Sequence, residues 1–268
     1  MPNIFIIFSF ILGTIIGSFL NVVALRFNTG MTLKGRSKCF SCGKNLAWHE
    51  LVPVLSFLIQ GGECKKCKSK ISWQYPVIET LAGILFVMIL YFFPPTDFIS
   101  SLNTLFYVLI TCILLVITIY DVKHKIIPDS LVYSFDALAF AKLFIVLDSV
   151  AGISFTTPTA AHLIAGPILA LPFLLMWLVS KGTWMGLGDA KLVLGIGWIL
   201  GITLGTSAII LAFWIGAVLG LIWMFIMFRR FKKRYEIPFG PYLILGMYIV
   251  LFFGVKVIDF SFYYEAFF

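Results

Sequence analysis

Asp189 stands behind two small residues, in Gly186-Leu187-Gly188-Asp189, where an apolar run begins with Ala190, Lys191 and Leu192. A carboxylate at the edge of a bilayer is expensive to hold and is as a rule functional. Asp121 closes a second apolar run and opens Asp121-Val122-Lys123-His124-Lys125-Ile126-Ile127-Pro128-Asp129. Two aspartates at one membrane face supply what peptide hydrolysis needs. One carboxylate takes a proton from water while the other donates to the carbonyl oxygen. The glycines allow close backbone approach, as an extended substrate peptide requires. The competing reading makes both aspartates interfacial caps, since a helix N-terminus favours a carboxylate at Asp189 by its dipole alone.

Four cysteines form a second constellation. Cys39 and Cys42 make one C-x-x-C and Cys64 and Cys67 another, with 21 residues between the pairs. Two such pairs suit a tetrahedral structural zinc site. Gly43 follows the first pair as a tight knuckle favours, whereas Lys68 follows the second. About 50 residues cannot build a sufficient core unaided, so a staple is expected here. Two disulfides are the alternative, disfavoured on a reducing cytoplasmic side. Cys112, in mid-span, is a small apolar filler.

The elements that must position these groups are membrane spans. Of 268 residues, 61% are hydrophobic and only 12% charged, far outside soluble composition. A helix crosses with about 20 apolar residues. Eight such segments are predicted, at 3–25, 76–93, 101–121, 131–149, 159–180, 190–204, 206–228 and 240–259. The break between the sixth and seventh rests on Gly201 and Gly205 alone. The fold class expected is an all-α polytopic membrane protein. Its domains are a first helix at 1–26, a small four-cysteine domain at 27–75 and a seven-helix membrane domain at 76–268.

Lys and Arg alternate between loops. Arg26, Lys34, Arg36, Lys38, Lys44, Lys65, Lys66, Lys68 and Lys70 lie between the first two spans, and Arg229, Arg230, Lys232, Lys233 and Arg234 precede the last. Segments 93–100 and 148–157 carry neither residue. The positive-inside rule then places both termini outside and the four-cysteine domain in the cytoplasm. The net charge of +8 reflects this topology and anionic lipid, not nucleic acid. Asp136 and Lys142, six positions and about 240° apart around a helix, do not pair along one face.

Several motifs together resemble the type IV prepilin peptidases. Asp121 with Ile127-Pro128-Asp129 and Gly186–Asp189 with Lys191-Leu192 look like that family's two signatures. Gly17-Ser18-Phe19-Leu20-Asn21-Val22 in the first span and Pro238-Phe239-Gly240-Pro241 near the last are similar too. So are Ser37, Trp48, Pro53, Gly62, Tyr75, Pro76 and Glu79 around the four cysteines. The resemblance implies an aspartic protease of the G-x-G-D type. Asp121 and Asp189 are then catalytic, and Gly186, Gly188, Asp129 and Lys191 shape the site. Zinc sits on Cys39, Cys42, Cys64 and Cys67. The substrates implied are prepilins or pseudopilins, cleaved at the cytoplasmic face of the bacterial inner membrane after a short basic leader. The resemblance also implies N-methylation of the new amine with S-adenosylmethionine. No dinucleotide-type glycine fingerprint supports that second activity independently. The basic leader is expected to meet Glu50, Glu63, Glu79 or Asp129. A transporter with a carboxylate proton relay is the alternative class. It calls for inverted repeats or paired broken spans, and neither is found.

Overall fold

The computed structural model describes residues 3–30, 32, 35–148, 152–155, 157–227 and 237–258. Lys34 and the basic run Arg229–Arg234 lie outside the described residues. The chain forms two compact units, Met1–Ile119 and Tyr120–Phe268.

The first unit is built on α1 (Asn3–Arg26) and α3 (Gln74–Phe92), with the short α2 (Leu55–Ile59) between them in sequence and α4 (Phe98–His124) following, whose residues from Tyr120 onward belong to the second unit. Small residues set the α1–α3 distance. A methyl group on Gly13 would lie 2.7 Å from the Ala82 carbonyl oxygen, and one on Gly83 would lie 2.6 Å from the Phe10 ring. With no hydrophobic drive between helices in lipid, such close backbone contact is what holds a pair together. Asn21 is buried in this interface. Its amide donates to the Gly17 carbonyl at 3.3 Å, and its carbonyl accepts from Gln74 Nε2 at 3.4 Å.

The second unit contains α5 (Asp129–Phe144), a two-stranded antiparallel hairpin of β1 (Ile145–Asp148) and β2 (Gly152–Phe155), α6 (Ala160–Ser180), α7 (Leu187–Met227) and α8 (Gly240–Phe253). The fourth predicted segment therefore ends early: helix stops at Phe144 and Ile145 is already extended. Ile145, Val146 and Leu147 have the branched and apolar character of a strand, so hydropathy alone ran the span too far.

The chain breaks within α7 at Gly201, whose φ of 74° and ψ of −176° are not helical. A methyl on Gly205 would lie 3.7 Å from the Gly197 Cα. Residues eight apart on a straight helix are separated by about 12 Å, so the chain doubles back here. α7 is two antiparallel helices, matching the sixth and seventh predicted segments. Among the described residues, five helices (α1, α3, α4, α6 and α7) are long and apolar enough to cross a membrane, and α8 is a shorter apolar helix. With α7 counted twice and the 16-residue α5 added, all eight predicted segments correspond to helices.

Packing orients the second unit. The first half of α7 leaves from the end of the unit that holds Asp121 and Asp189 and turns at Gly201 at the opposite end. α8 runs antiparallel to the returning half. A methyl on Gly216 would lie 3.3 Å from Tyr242, and near the other end of α8 the Val257 N–H donates to Ser207 Oγ at 3.0 Å. The loops 125–128 and 181–186 lie at the aspartate end; Gly201 and the β-hairpin lie at the other.

Candidate active site and metal centre

Asp121 lies one turn before the end of α4, and Asp189 lies in the first turn of α7. Both are buried. The Gly240 N–H, at the start of α8, donates to Asp121 Oδ2 at 3.1 Å. The sequence places Asp121 at the negative end of its own helix. The fold adds the positive end of α8 against the same carboxylate, which counters that dipole. Asp189 is held from its own loop, its N–H donating to the Gly186 carbonyl at 3.3 Å. The two carboxylates are close enough to act on each other electrostatically.

Ile127 is the wedge that brings them together. A methyl on Gly188 would lie 2.8 Å from Ile127 Cβ, and one on Gly240 would lie 3.3 Å from Ile127 Cδ1 and 2.7 Å from Asp121 Oδ2. Ile127 thus touches the residue before Asp189 and the residue that bonds Asp121. Gly188 is small because Ile127 seats on it. Gly186 is exposed and has only Asp189 Oδ2 and the Gly188 N–H nearby, so its face stays open. Ile127 and Gly240 were not among the residues expected to shape the site. Both stand in quoted motifs, but nothing local shows that Gly240 meets a carboxylate 119 positions away.

Lys191 finds its partner across helices. Its Nζ lies 2.7 Å from Asp129 Oδ1 and 4.7 Å from the centre of the Tyr133 ring. Asp136 follows on the same face of α5, buried against the backbone of α7 where a methyl on Gly195 would lie 2.5 Å from Oδ1. Asp129, Tyr133 and Asp136 thus set the register of α7 two residues beyond Asp189. Because Asp129 is largely exposed, the pair adds at most about 1 kcal/mol. Asp129→Asn, Lys191→Met and the double variant are expected to show equal, small losses in thermal melts. Additive losses in that double-mutant cycle would exclude direct coupling.

The four cysteines converge in the first unit, their sulfurs all within 4.8 Å of one another. Cys39 Sγ and Cys67 Sγ are 3.8 Å apart. A tetrahedron of sulfurs about 2.3 Å from zinc has edges of about 3.8 Å, so the set fits that ion. All four are free thiols, against the disulfide alternative. Each pair forms a knuckle of the same design. The Cys39 N–H donates to the Lys44 carbonyl and the Cys64 N–H to the Ser69 carbonyl, both at 2.9 Å. Gly43 has φ 68° and Lys68 φ 59°, so Lys68 takes the left-handed conformation its glycine counterpart takes. The N–H groups of Cys42 and Ser41, with the Ser69 hydroxyl, pull the Cys39 thiol down to about 6. Cys42, although the Lys44 N–H opposes it, is pushed up to about 11 by burial and the neighbouring sulfurs. Thiols this crowded ionise together only around a cation.

Two of the carboxylates expected to meet a basic leader are otherwise engaged. Glu50 is buried, ion-paired with Lys44 Nζ at 2.9 Å and accepting the Ala47 N–H. Glu79 is buried and accepts the Val54 N–H at 2.7 Å. Neither carboxylate is presented to a passing peptide. Glu63 remains partly exposed.

Residues 11–93 match the Bacterial Peptidase A24 N-terminal domain, and residues 108–225 match the Type IV leader peptidase family. The chain is 31% identical over 262 residues to the prepilin leader peptidase/N-methyltransferase of Bacillus subtilis, covering 94% of this chain and 95% of that protein. It is 29% identical to the protein of the same name from Vibrio cholerae, covering 96% of this chain and 100% of that one. For the Pseudomonas aeruginosa protein of that name the identity is 28%, with 96% and 93% covered. No solved structure shows significant similarity to the chain.

Proposed function

We propose, because this chain belongs to the type IV leader peptidase family, that Asp121 and Asp189 are the catalytic pair of a membrane aspartic endopeptidase. Its substrates are type IV prepilins or pseudopilins. The observation that carries the assignment is the Ile127 wedge, which seats on the glycines flanking both buried carboxylates. One aspartate takes a proton from the attacking water and the other protonates the scissile carbonyl oxygen. The Gly240 N–H orients Asp121, while exposed Gly186 leaves room for an extended backbone beside Asp189. Co-expression with candidate prepilins, read by mass of the product, tests this. Intact leaders on every candidate would oppose it.

The relatives' shared name adds a second reaction, N-methylation of the new terminal amine, with S-adenosylmethionine as donor. The protein is a multi-pass protein of the bacterial inner membrane, in contact with its lipids and with no role for nucleic acid. Both termini lie outside and the four-cysteine domain, 27–75, lies in the cytoplasm. Residues 1–26 form the anchor ahead of it, and 76–268 form the membrane domain with the protease site.

Cys39, Cys42, Cys64 and Cys67 would hold zinc, which when bound supplies a structural crosslink and no proteolytic chemistry. Cys39→Ser or Cys64→Ser is expected to lower metal content and destabilise the domain, while prepilin cleavage falls only in part. Metal analysis and cleavage on the same preparation check both halves. Complete loss of cleavage in a variant that remains folded would tie the domain directly to proteolysis.

A further inference from the structure

α2 presents an apolar outer face in an unusual place. It lies in the cysteine-bearing segment, yet Leu55, Leu58 and Ile59 are 56%, 62% and 77% exposed. Its one inward residue, Phe57, is buried, with its ring 4.9 Å from the Trp73 ring and against Gly62. Trp73 immediately precedes α3 in helical conformation and is 70% exposed. Val77, Ile84 and Tyr91, all exposed, follow it along α3. At about 100° per residue these four positions fall within an arc of about 40°. They are the outward stripe of a helix long and apolar enough to span a membrane. Trp73 heads that stripe, where tryptophan sits at a membrane–water interface.

We infer that α2 is an interfacial helix, lying in the headgroup region of the bilayer at the depth of Trp73 with Leu55, Leu58 and Ile59 toward the lipid. Its apolar face continues the lipid-facing stripe of α3. Exposed Lys65, Lys66, Lys68 and Lys70 on the adjoining knuckle suit anionic headgroups. The segment is also pinned from within. Val54 has φ 60° and ψ −53°, a conformation that a β-branched residue avoids. The carboxylate of Glu79, buried on α3, holds it there through the Val54 N–H at 2.7 Å. The same few residues are thus fixed to the helix pair on one side and to lipid on the other. This lays the cysteine cluster against the membrane surface instead of leaving it free on a tether.

The test uses the full-length protein in nanodiscs of phosphatidylethanolamine and phosphatidylglycerol. Leu58, and separately Ile59, is replaced by the photoreactive p-benzoylphenylalanine, and adducts are identified by mass spectrometry. Lipid adducts are expected to dominate at both positions, and to be lost at 58 when Leu55→Ser and Ile59→Ser are added. Dominant crosslinks to a second copy, to added prepilin or to another part of the chain would overturn the inference. So would lipid adducts that survive the serine substitutions. A second measurement leaves α2 intact, so misfolding of those variants does not decide the matter. Lipids brominated just below the headgroup should quench the fluorescence that is lost in Trp73→Phe. If that fluorescence resists quenching, Trp73 and α2 are not at the interface.

Discussion

Asp121→Asn and Asp189→Asn should each reduce prepilin cleavage by on the order of 10⁴-fold, with the double variant hardly worse than either. In the proposed mechanism the two carboxylates work as one unit: a water without its base and a carbonyl without its acid fail equally. Both side chains are buried, and the amide is nearly isosteric, so the fold should persist. The check is single-turnover cleavage of a purified prepilin, with thermal melts alongside to establish folding. Either single variant retaining substantial cleavage would remove its aspartate from the pair.

Gly240→Ala should have the next largest effect, about 10²-fold on kcat, the scale of a misplacement of about 1 Å in a catalytic group. The added methyl would lie 2.7 Å from Asp121 Oδ2 and 3.3 Å from Ile127 Cδ1. The carboxylate must swing away, and it takes the Gly240 N–H bond with it. The backbone itself accepts alanine, since Gly240 opens α8 without a positive φ. Activity should therefore fall without a matching fall in stability. Gly220→Ala is the control, because its nearest neighbour, Ile237 Cδ1, would be 3.4 Å away. Equal activity in the two variants would show that Asp121 does not depend on this contact.

Features fixed by local forces were readable in the chain before its fold was known. Transfer into lipid depends on length and polarity, so the apolar helices were legible in the sequence, although the fourth segment was carried past Phe144, where its helix ends. The cysteine knuckles were legible for a related reason. Each closes by backbone bonds between residues five apart, such as Cys39 to Lys44 and Cys64 to Ser69, and C-x-x-C encodes that turn. Lys68 shows the limit, since the knuckle imposes a positive φ on a residue that does not advertise one. Asp121 and Asp189 were legible because a carboxylate at a membrane edge is anomalous wherever it occurs. Which residues meet came only with the fold. Gly240 reaches Asp121, Lys191 reaches Asp129, Glu79 reaches Val54, and Ile127 wedges between two glycines. Hydropathy is blind to these because lipid satisfies every apolar face alike. Helices in a membrane choose partners by close backbone approach and by a few interhelical polar bonds. Those are properties of paired surfaces, which no single stretch of chain contains.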